Sequence, residues 1–580
     1  MKILLNRFLL ISLSSLLISG AVFAGDKTDK KKTKKSKDTL VIKAVTWGPA
    51  QAEVDAAQAR VAQSSVVQNE LRGAKSRIVG FEYIDNSMAN KNQPTQVPTH
   101  FRVIFYDYTN DRAVIAENDF AGKEAIKVRP EMIDPGVGGE ELEAAYRLIK
   151  SDPEFSGLSK NSKLEYDAAM PPVSNLDGER LVNVTVKNLT DGTYQIVGIS
   201  FKNNKVVHYA DNAPPTARVA PDACGIPSAG QGSTGPGVAG QYQVTVTNGT
   251  RNTLWEMLVV RPSSSSGASS ERSGIEIRDV KYKGVSVLKR GHAPILNVQY
   301  INNTCGPFRD WQYAEGYFNA PATGATYPNG VDGGFAVLAD GQIATTSVET
   351  RNDAGNFRGV AVYQQDVGNG PELVMVSEMN AGWYRYIMEW RFANDGTIRP
   401  RYGFGSTTNG CVCNPRNHHV YWRFDFDIVN PLNKVFEIQR GRNPLTPFLT
   451  EAARFRNTQA GFMIQNATGK ESYSITPGAN DGTVTNAAGV LTDTFGAGDF
   501  WLMQFKGTAA APTELDDPNS GSGANLAPWI NGESLDSQDV VIWYGAHQYR
   551  VDDASRAGGD TQNIINGQHV VGPDIKPVNW

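Results

Sequence analysis

Three histidines form the chain's plainest set of metal donors. His418 and His419 are adjacent in Arg416-Asn417-His418-His419, and His547 lies far downstream in Asp539-Val-Val-Ile-Trp-Tyr-Gly-Ala-His547. Neutral imidazole suits copper, zinc and iron, so a metal or small-molecule binder built on these three rings is one reading. Neighbours on a regular strand point to opposite faces, so His418 and His419 share an ion only where a bulge turns one of them. Surface histidines with no ion are the alternative, and His569 is a reserve donor. Two further clusters carry reactive side chains: Trp383-Tyr384-Arg385-Tyr386, and Arg309-Asp-Trp-Gln-Tyr-Ala-Glu315. Strand aromatics packing a core, and a glutamate at the surface, are the readings of these that need no chemistry. Asp425 and Asp427 suit either a calcium site or a structural strand end. No Walker A loop, dinucleotide fingerprint, Gly-x-Ser-x-Gly elbow or HExxH is present.

These residues need a scaffold, and the chain is long enough for one. Its 580 residues correspond to about three or four domains. Hydrophobic residues at 40% and charged residues at 20% are values of a folded protein. Residues 1–24 read as a secretory signal peptide: Lys2 and Arg7, an apolar Phe8–Ser19, then Ala21-Val-Phe-Ala24. No later stretch reaches the length of a membrane span. Export makes disulfides possible; Cys224 and Cys305 can pair, whereas Cys411 and Cys413 are too close for an easy bridge to each other. Residues 25–42 form a Lys-rich disordered linker. The chain's net charge is −4, and without the basic leader and tail the body is more acidic still, which argues against a nucleic-acid partner.

The remainder reads as α+β. Val54, Ala57, Val61 and then Val66, Val67 and Leu71 stand among polar residues at helical spacing over 51–72. Strand-like Arg77–Ile84 follows, then a hairpin of Phe101–Tyr108 and Arg112–Glu117. The pattern repeats: Gly138-Gly139, a helix over Glu140–Lys150, and strands at Arg180–Lys187, Tyr194–Phe201 and Lys205–Tyr209. This predicts two small modules of helix plus antiparallel meander, over 43–135 and 136–212. Gly225–Gly240 and Pro262–Gly274 read as loops. Over 213–580, short alternating runs between Gly, Asn and Asp predict a large antiparallel β-sandwich.

Several motifs in that sandwich resemble one family in the right order. Gly274–Leu288 running into Leu296-Asn-Val-Gln-Tyr300 resembles the opening strands of the copper amine oxidase catalytic domain. Glu372–Tyr386 with Asp395-Gly-Thr-Ile398 resembles the strands carrying the tyrosine that becomes topaquinone. Arg423-Phe-Asp-Phe-Asp-Ile428 resembles the strand after the His-x-His copper ligands. Asp539–His547 and Lys576-Pro-Val-Asn-Trp580 resemble the third-histidine stretch and the closing segment.

The resemblance implies an exported, homodimeric, copper- and topaquinone-dependent oxidase. Such an enzyme turns a small primary amine and dioxygen into aldehyde, peroxide and ammonia, in the periplasm or outside the cell. It implies Tyr384 as quinone precursor, Tyr300 as its hydrogen-bonding partner, Tyr313 as gate, Glu315 as base with one deletion (an ungapped alignment puts Gln312, an amide that cannot take the proton, at that place), and His418, His419 and His547 as Cu(II) ligands. The chain departs from the pattern at Trp383, where the family has Asn, at Arg385, where it has an acid, and at Arg416, which falls on the first copper histidine. A guanidinium is permanently charged and cannot ligate a cation. The departures support a second reading, a catalytically decayed relative acting as a binding or structural module.

Overall fold

The computed structural model describes residues 39–84, 93–132, 135–191, 193–209, 224–232, 234–249, 252–266, 271–300, 308–321, 334–366, 368, 370–439, 445–456, 459–493, 495–507, 514, 526–550 and 570–580. The leader, the Lys-rich segment and His569 lie outside them. The protein is mostly β: two small four-stranded sheets, each with helices, precede two ten-stranded sheets.

The predicted helix over 51–72 is two helices, Gln51–Ala62 and Ser65–Glu70. Ser64 divides them: its hydroxyl accepts from the Val67 N–H at 3.3 Å, the capping bond that starts the second helix. Val54, Ala57, Val61, Val67 and Leu71 are buried against Phe81, Phe101 and Phe105 of the first sheet, whereas Val66, expected on the same face, is exposed because the second helix starts afresh at Ser64. That sheet runs Ser76–Ile84, His100–Asp107, Arg112–Asp119, Lys127–Glu131. The hairpin closes at Asp107↔Arg112, as its turn residues predict. The second sheet is Leu164–Leu176, Glu179–Asn188, Tyr194–Ser200 and Lys205–His208, covered by Gly139–Ser151.

The two small sheets share one apolar cluster, in which Val79, Ile104 and Tyr108 meet Ala145, Ile149, Val184 and Ile199. A buried ion pair crosses the same seam. Arg180 donates to both Glu141 oxygens at 3.1 and 3.0 Å, and Tyr108 donates to Glu141 at 2.7 Å.

The sandwich places Val41–Trp47 at one edge, followed by Gln241–Thr247, Thr253–Val260, Glu276–Tyr282, Val285–Tyr300, Arg416–Phe426, Val540–Arg550, Phe500–Gln504 and Ala452–Arg454. The facing sheet centres on Pro371–Ala381, Tyr384–Ala393 and Ile398–Ser406. Side chains from both inner faces, such as Trp390 and Trp422 at 5.3 Å between rings, fill one large core. The Ser-rich stretch after Arg261 is not a solvated loop, because Pro262, Ser263 and Ser264 form a buried 3-10 turn.

One expected pairing is corrected. Cys224 bonds Cys413, not Cys305, which lies outside the described residues. The reason is a local ladder: Thr408 N–H donates to Ile226 O at 2.8 Å and Asn409 N–H to Cys224 O at 3.2 Å. These bonds set Cys224 beside the turn Gly410–Cys413, with Cα atoms 5.4 Å apart. Among the described residues no cysteine is free.

Candidate functional site

Strand Arg416–Phe426 decides the site, because its pairing with Val540–Arg550 runs without a bulge from Arg416↔Arg550 to Phe426↔Val540. Side chains therefore alternate strictly. Arg416, His418, Val420 and Trp422 face the second sheet, and His419, Tyr421 and Arg423 face outward.

On the inner face, the His418 ring stacks on Phe404 at 4.5 Å and meets Tyr384 edge-on at 5.0 Å. Tyr384 follows the two-residue hairpin turn Gly382-Trp383, where Gly382 supplies the positive φ of 56° such a turn requires. Its hydroxyl is hydrogen-bonded to that of Tyr300, and the Trp383 indole N–H donates to Tyr300 at 3.2 Å. Burial pushes the Tyr384 phenol up to about 12, against the pull of Arg416, and raises Tyr300 well above the usual tyrosine range. The buried Arg416 guanidinium lies 5.7 Å from the Tyr384 ring centre and donates to the Val412 and Asn414 carbonyls at 2.7 and 3.1 Å.

His419 and His547 sit on the opposite face. Their registers match across the two strands, and their Nδ1 atoms are 2.8 Å apart. His547 Nε2 lies 3.1 Å from Asp499, whose carboxylate also accepts from the Arg456 and Val484 backbone N–H groups. Burial drops the His419 imidazole to about 4. The structure thus joins His419 to His547 and separates both from His418. Cross-strand positions beside Arg416 and His418 are held by Arg550 and Gln548, and the Gln548 side-chain oxygen is buried without a hydrogen-bond partner. The residues present do not fit a three-imidazole copper centre next to Tyr384: the inner face supplies one imidazole, an amide and a guanidinium. The one cluster of three or more potential ligands among the described residues is elsewhere, at Asp425, Asp427 and Asp539.

Glu315 is buried, but Arg261 engages both its oxygens, with Nε at 2.8 and 3.1 Å, and the Ser263 N–H adds 3.1 Å. A carboxylate held this way is a structural anion rather than a waiting base. Sequence reasoning missed Asp310, five residues earlier. This fully buried carboxyl accepts from the Tyr386 hydroxyl, its other oxygen has no partner, and burial pushes it up to about 8. Its only signal in the sequence is its place beside Trp311. Gln312 is spent on the Ala293 carbonyl at 2.6 Å and the Tyr402 hydroxyl at 2.9 Å.

Tyr313 is buried and donates to Val137 O at 2.9 Å. It lines a cavity of about 360 Å³ with Trp311, Asn380, Gly382 and Arg385 of the sandwich and Tyr146 and Tyr166 of the second small module. Arg385, at a position where the resemblance expects an acid, is bound to Asp353 by Nε at 2.6 Å and NH2 at 2.9 Å.

No family model matches the chain, and no curated protein is similar to it in sequence. Solved structures match it in fold. A copper-containing benzylamine oxidase from Hansenula polymorpha matches with a TM-score of 0.58 at 12% identity, over 91% of this chain and 96% of that one. An amine oxidase from Aspergillus nidulans matches with 0.53 at 14% identity, over 92% and 88%. Pichia pastoris lysyl oxidase matches with 0.52 at 12% identity, over 87% and 86%. Sheets, order and coverage agree on one architecture: the chain has the copper amine oxidase fold.

Proposed function

We propose that this protein is an exported binding module on an amine oxidase scaffold, without copper or quinone chemistry. The observation that carries the reading is Arg416, whose guanidinium lies over the Tyr384 ring. A dication within about 5 Å of that fixed charge would be repelled by roughly 6 kcal/mol at an effective dielectric of about 20. His419 and His547, the imidazoles that would have to compensate, are hydrogen-bonded to each other on the other face of the sheet. Glu315 is neutralised by Arg261, which leaves the expected base role without a free carboxylate. Export through the 1–24 leader is part of the proposal and is supported by the Cys224–Cys413 disulfide. A homodimer is carried with it from the resemblance, and the division at 136–212 and 213–580 from the helix-and-meander pattern, while the module expected over 43–135 begins after Val41–Trp47, a strand of the sandwich sheet.

The test is to incubate the full mature chain with Cu(II) in air, measure bound copper, and treat it with phenylhydrazine. The expected result is no stoichiometric copper, an unmodified Tyr384 by peptide mass, and no peroxide from primary amines. One copper per chain with a hydrazone on Tyr384 overturns this reading and restores the oxidase, with amine converted to aldehyde.

A further inference from the structure

The cavity between the second small module and the sandwich, about 360 Å³, lies where two units meet, a common place for small-molecule sites. Its wall carries four aromatic side chains. Tyr146 and Tyr166 come from the module, with ring centres 6.0 Å apart, and Trp311 and Tyr313 come from the sandwich. The negative face of each such ring attracts a cation. Lys150 shows the effect on this wall, with its Nζ 5.4 Å from the centre of the Tyr166 ring.

Among the buried charges here, one is left over, and it is negative. Arg385 donates to Asp353 at 2.6 and 2.9 Å and to the Gly382 and Tyr384 carbonyls at 3.2 and 3.0 Å, so its charge is met. Asp167 is matched by Lys187 at 2.7 Å. Directly behind Gly230 of the wall lies Glu165, 8% exposed, whose Oε1 accepts from the Ser228 hydroxyl at 2.7 Å. Its Oε2 is buried without a hydrogen-bond partner. Glu143 on the wall adds a carboxylate that is 75% exposed, with Arg147 at 3.8 Å. Arg147 and Lys150 stand at exposed positions, where solvent screens them. Burial first, then Asp167, Glu143 and Glu165, hold the Tyr146 phenol above its usual range.

The neutral polar side chains of the wall are already engaged. Gln231 donates to Asp353 at 2.7 Å and accepts from the Tyr317 N–H, the Thr234 hydroxyl accepts from the Glu315 N–H at 3.0 Å, and the Asn380 amide packs against Gly316. A primary ammonium needs acceptors for three N–H donors. A fully methylated ammonium needs none, and aromatic faces meet its charge.

We infer that this cavity binds a free, small quaternary ammonium cation, seated on the Tyr146, Tyr166, Trp311 and Tyr313 rings, with Glu143 and Glu165 supplying the opposite charge. The inference rests on the reading of the chain as a binding module. The two fail separately: copper and the state of Tyr384 decide that reading, and binding of a cation without N–H groups decides this one.

The experiment is calorimetric titration and saturation-transfer NMR on the full mature chain, with choline and tetramethylammonium as probes. The comparisons are the neutral tert-butyl isostere of choline, which has its shape without its charge, and ethanolamine, which carries the charge on a primary ammonium. At least one quaternary probe should bind saturably, and about tenfold more tightly than either comparison. A roughly tenfold rise in salt should weaken it by about threefold, because part of the matching charge is exposed. Tyr146→Leu should weaken binding by about tenfold, through loss of one aromatic face, while Tyr146→Phe keeps it. Circular dichroism and the melting temperature identify variants that fail to fold, and Tyr146, half-buried on a helix, is a tolerant position. The inference is overturned if neither quaternary probe binds the folded chain, if the isostere or ethanolamine binds as tightly as they do, or if folded Tyr146→Leu binds as the parent does.

Discussion

Replacing Asp310 by Asn should make the protein less sensitive to alkali. Burial raises the Asp310 carboxyl from an ordinary 3.8 to about 8, so between those values the folded chain keeps a proton that the unfolded chain releases. The unfolded state then binds fewer protons, and stability falls as pH rises. The contribution is fully present below about pH 4 and is lost progressively up to about pH 8. The slope is at most about 1.4 kcal/mol per pH unit. With an unfolding entropy of about 2.1 cal/mol/K per residue over the roughly 450 described residues, that corresponds to about 1.5 °C in melting temperature per unit. Asn cannot ionise, and its carbonyl still accepts the Tyr386 hydroxyl that Asp310 accepts. Glu378 and Glu349, both raised by burial to about 7, act with the same sign and persist in the variant, so the difference between the two proteins isolates Asp310. Melting curves of parent and Asp310→Asn at pH 5, 6, 7 and 8 are the assay, with the parent expected to lose about 4 °C relative to the variant. Parallel pH profiles would refute a protonated Asp310 at neutral pH.

Other perturbations read other parts of the structure. Arg385→Ala leaves the Asp353 carboxylate without its buried partner and should cost about 3–5 kcal/mol in urea unfolding, with Arg385→Ala/Asp353→Ala costing less than the two single changes summed. Gly240→Ala would drive a Cβ into Arg261 Cδ, displacing the guanidinium from Glu315; a loss of about 2–4 kcal/mol is expected, and an unchanged midpoint would contradict the packing. Cys413→Ser opens a bridge spanning 189 residues and should lower stability by about 2–5 kcal/mol, seen as a shift that reductant reproduces in the parent. His419→Ala should lower the melting temperature without altering the Tyr300–Tyr384 contact, because His419 works on the outer face with His547.

The sequence made the scaffold legible wherever local patterns were strong. Alternation gave the sandwich strands, the Asp107–Arg112 turn gave its hairpin, and the spacing of Val54, Ala57 and Val61 gave a helical face. The break at Ser64 was missed because a capping hydroxyl looks like any polar residue within a helical repeat. The site was harder to read because its parts meet across long sequence separations. That adjacent histidines split between two faces followed from strand geometry, but whether a bulge intervened did not; the register of Arg416–Phe426 settled it. Glu315 was legible as an acid, but its partner Arg261 lies 54 residues away, and nothing local announces the pair. Asp310 was passed over because a single aspartate shows no sign of burial until the Tyr386 strand is laid over it.

Arg416 shows how this interior holds a fixed charge. A buried cation is tolerated only where its donors are satisfied and its charge is met by acceptors or π-electrons. Here the Val412 and Asn414 carbonyls take one guanidinium nitrogen, and the face of Tyr384 lies toward the charge, a cation–π arrangement. The same charge pulls the Tyr384 phenol down against the effect of burial, so the cation and the tyrosine stabilise each other's electrostatics. Tyr384 is fixed from the other side by Tyr300, which Trp383 also contacts. A fixed guanidinium thus supplies the positive charge in this interior, and Trp383 adds a hydrogen bond that secures the ring pair. Two of the three departures, Trp383 and Arg416, are in the fold complementary parts of one buried arrangement around the Tyr300–Tyr384 pair.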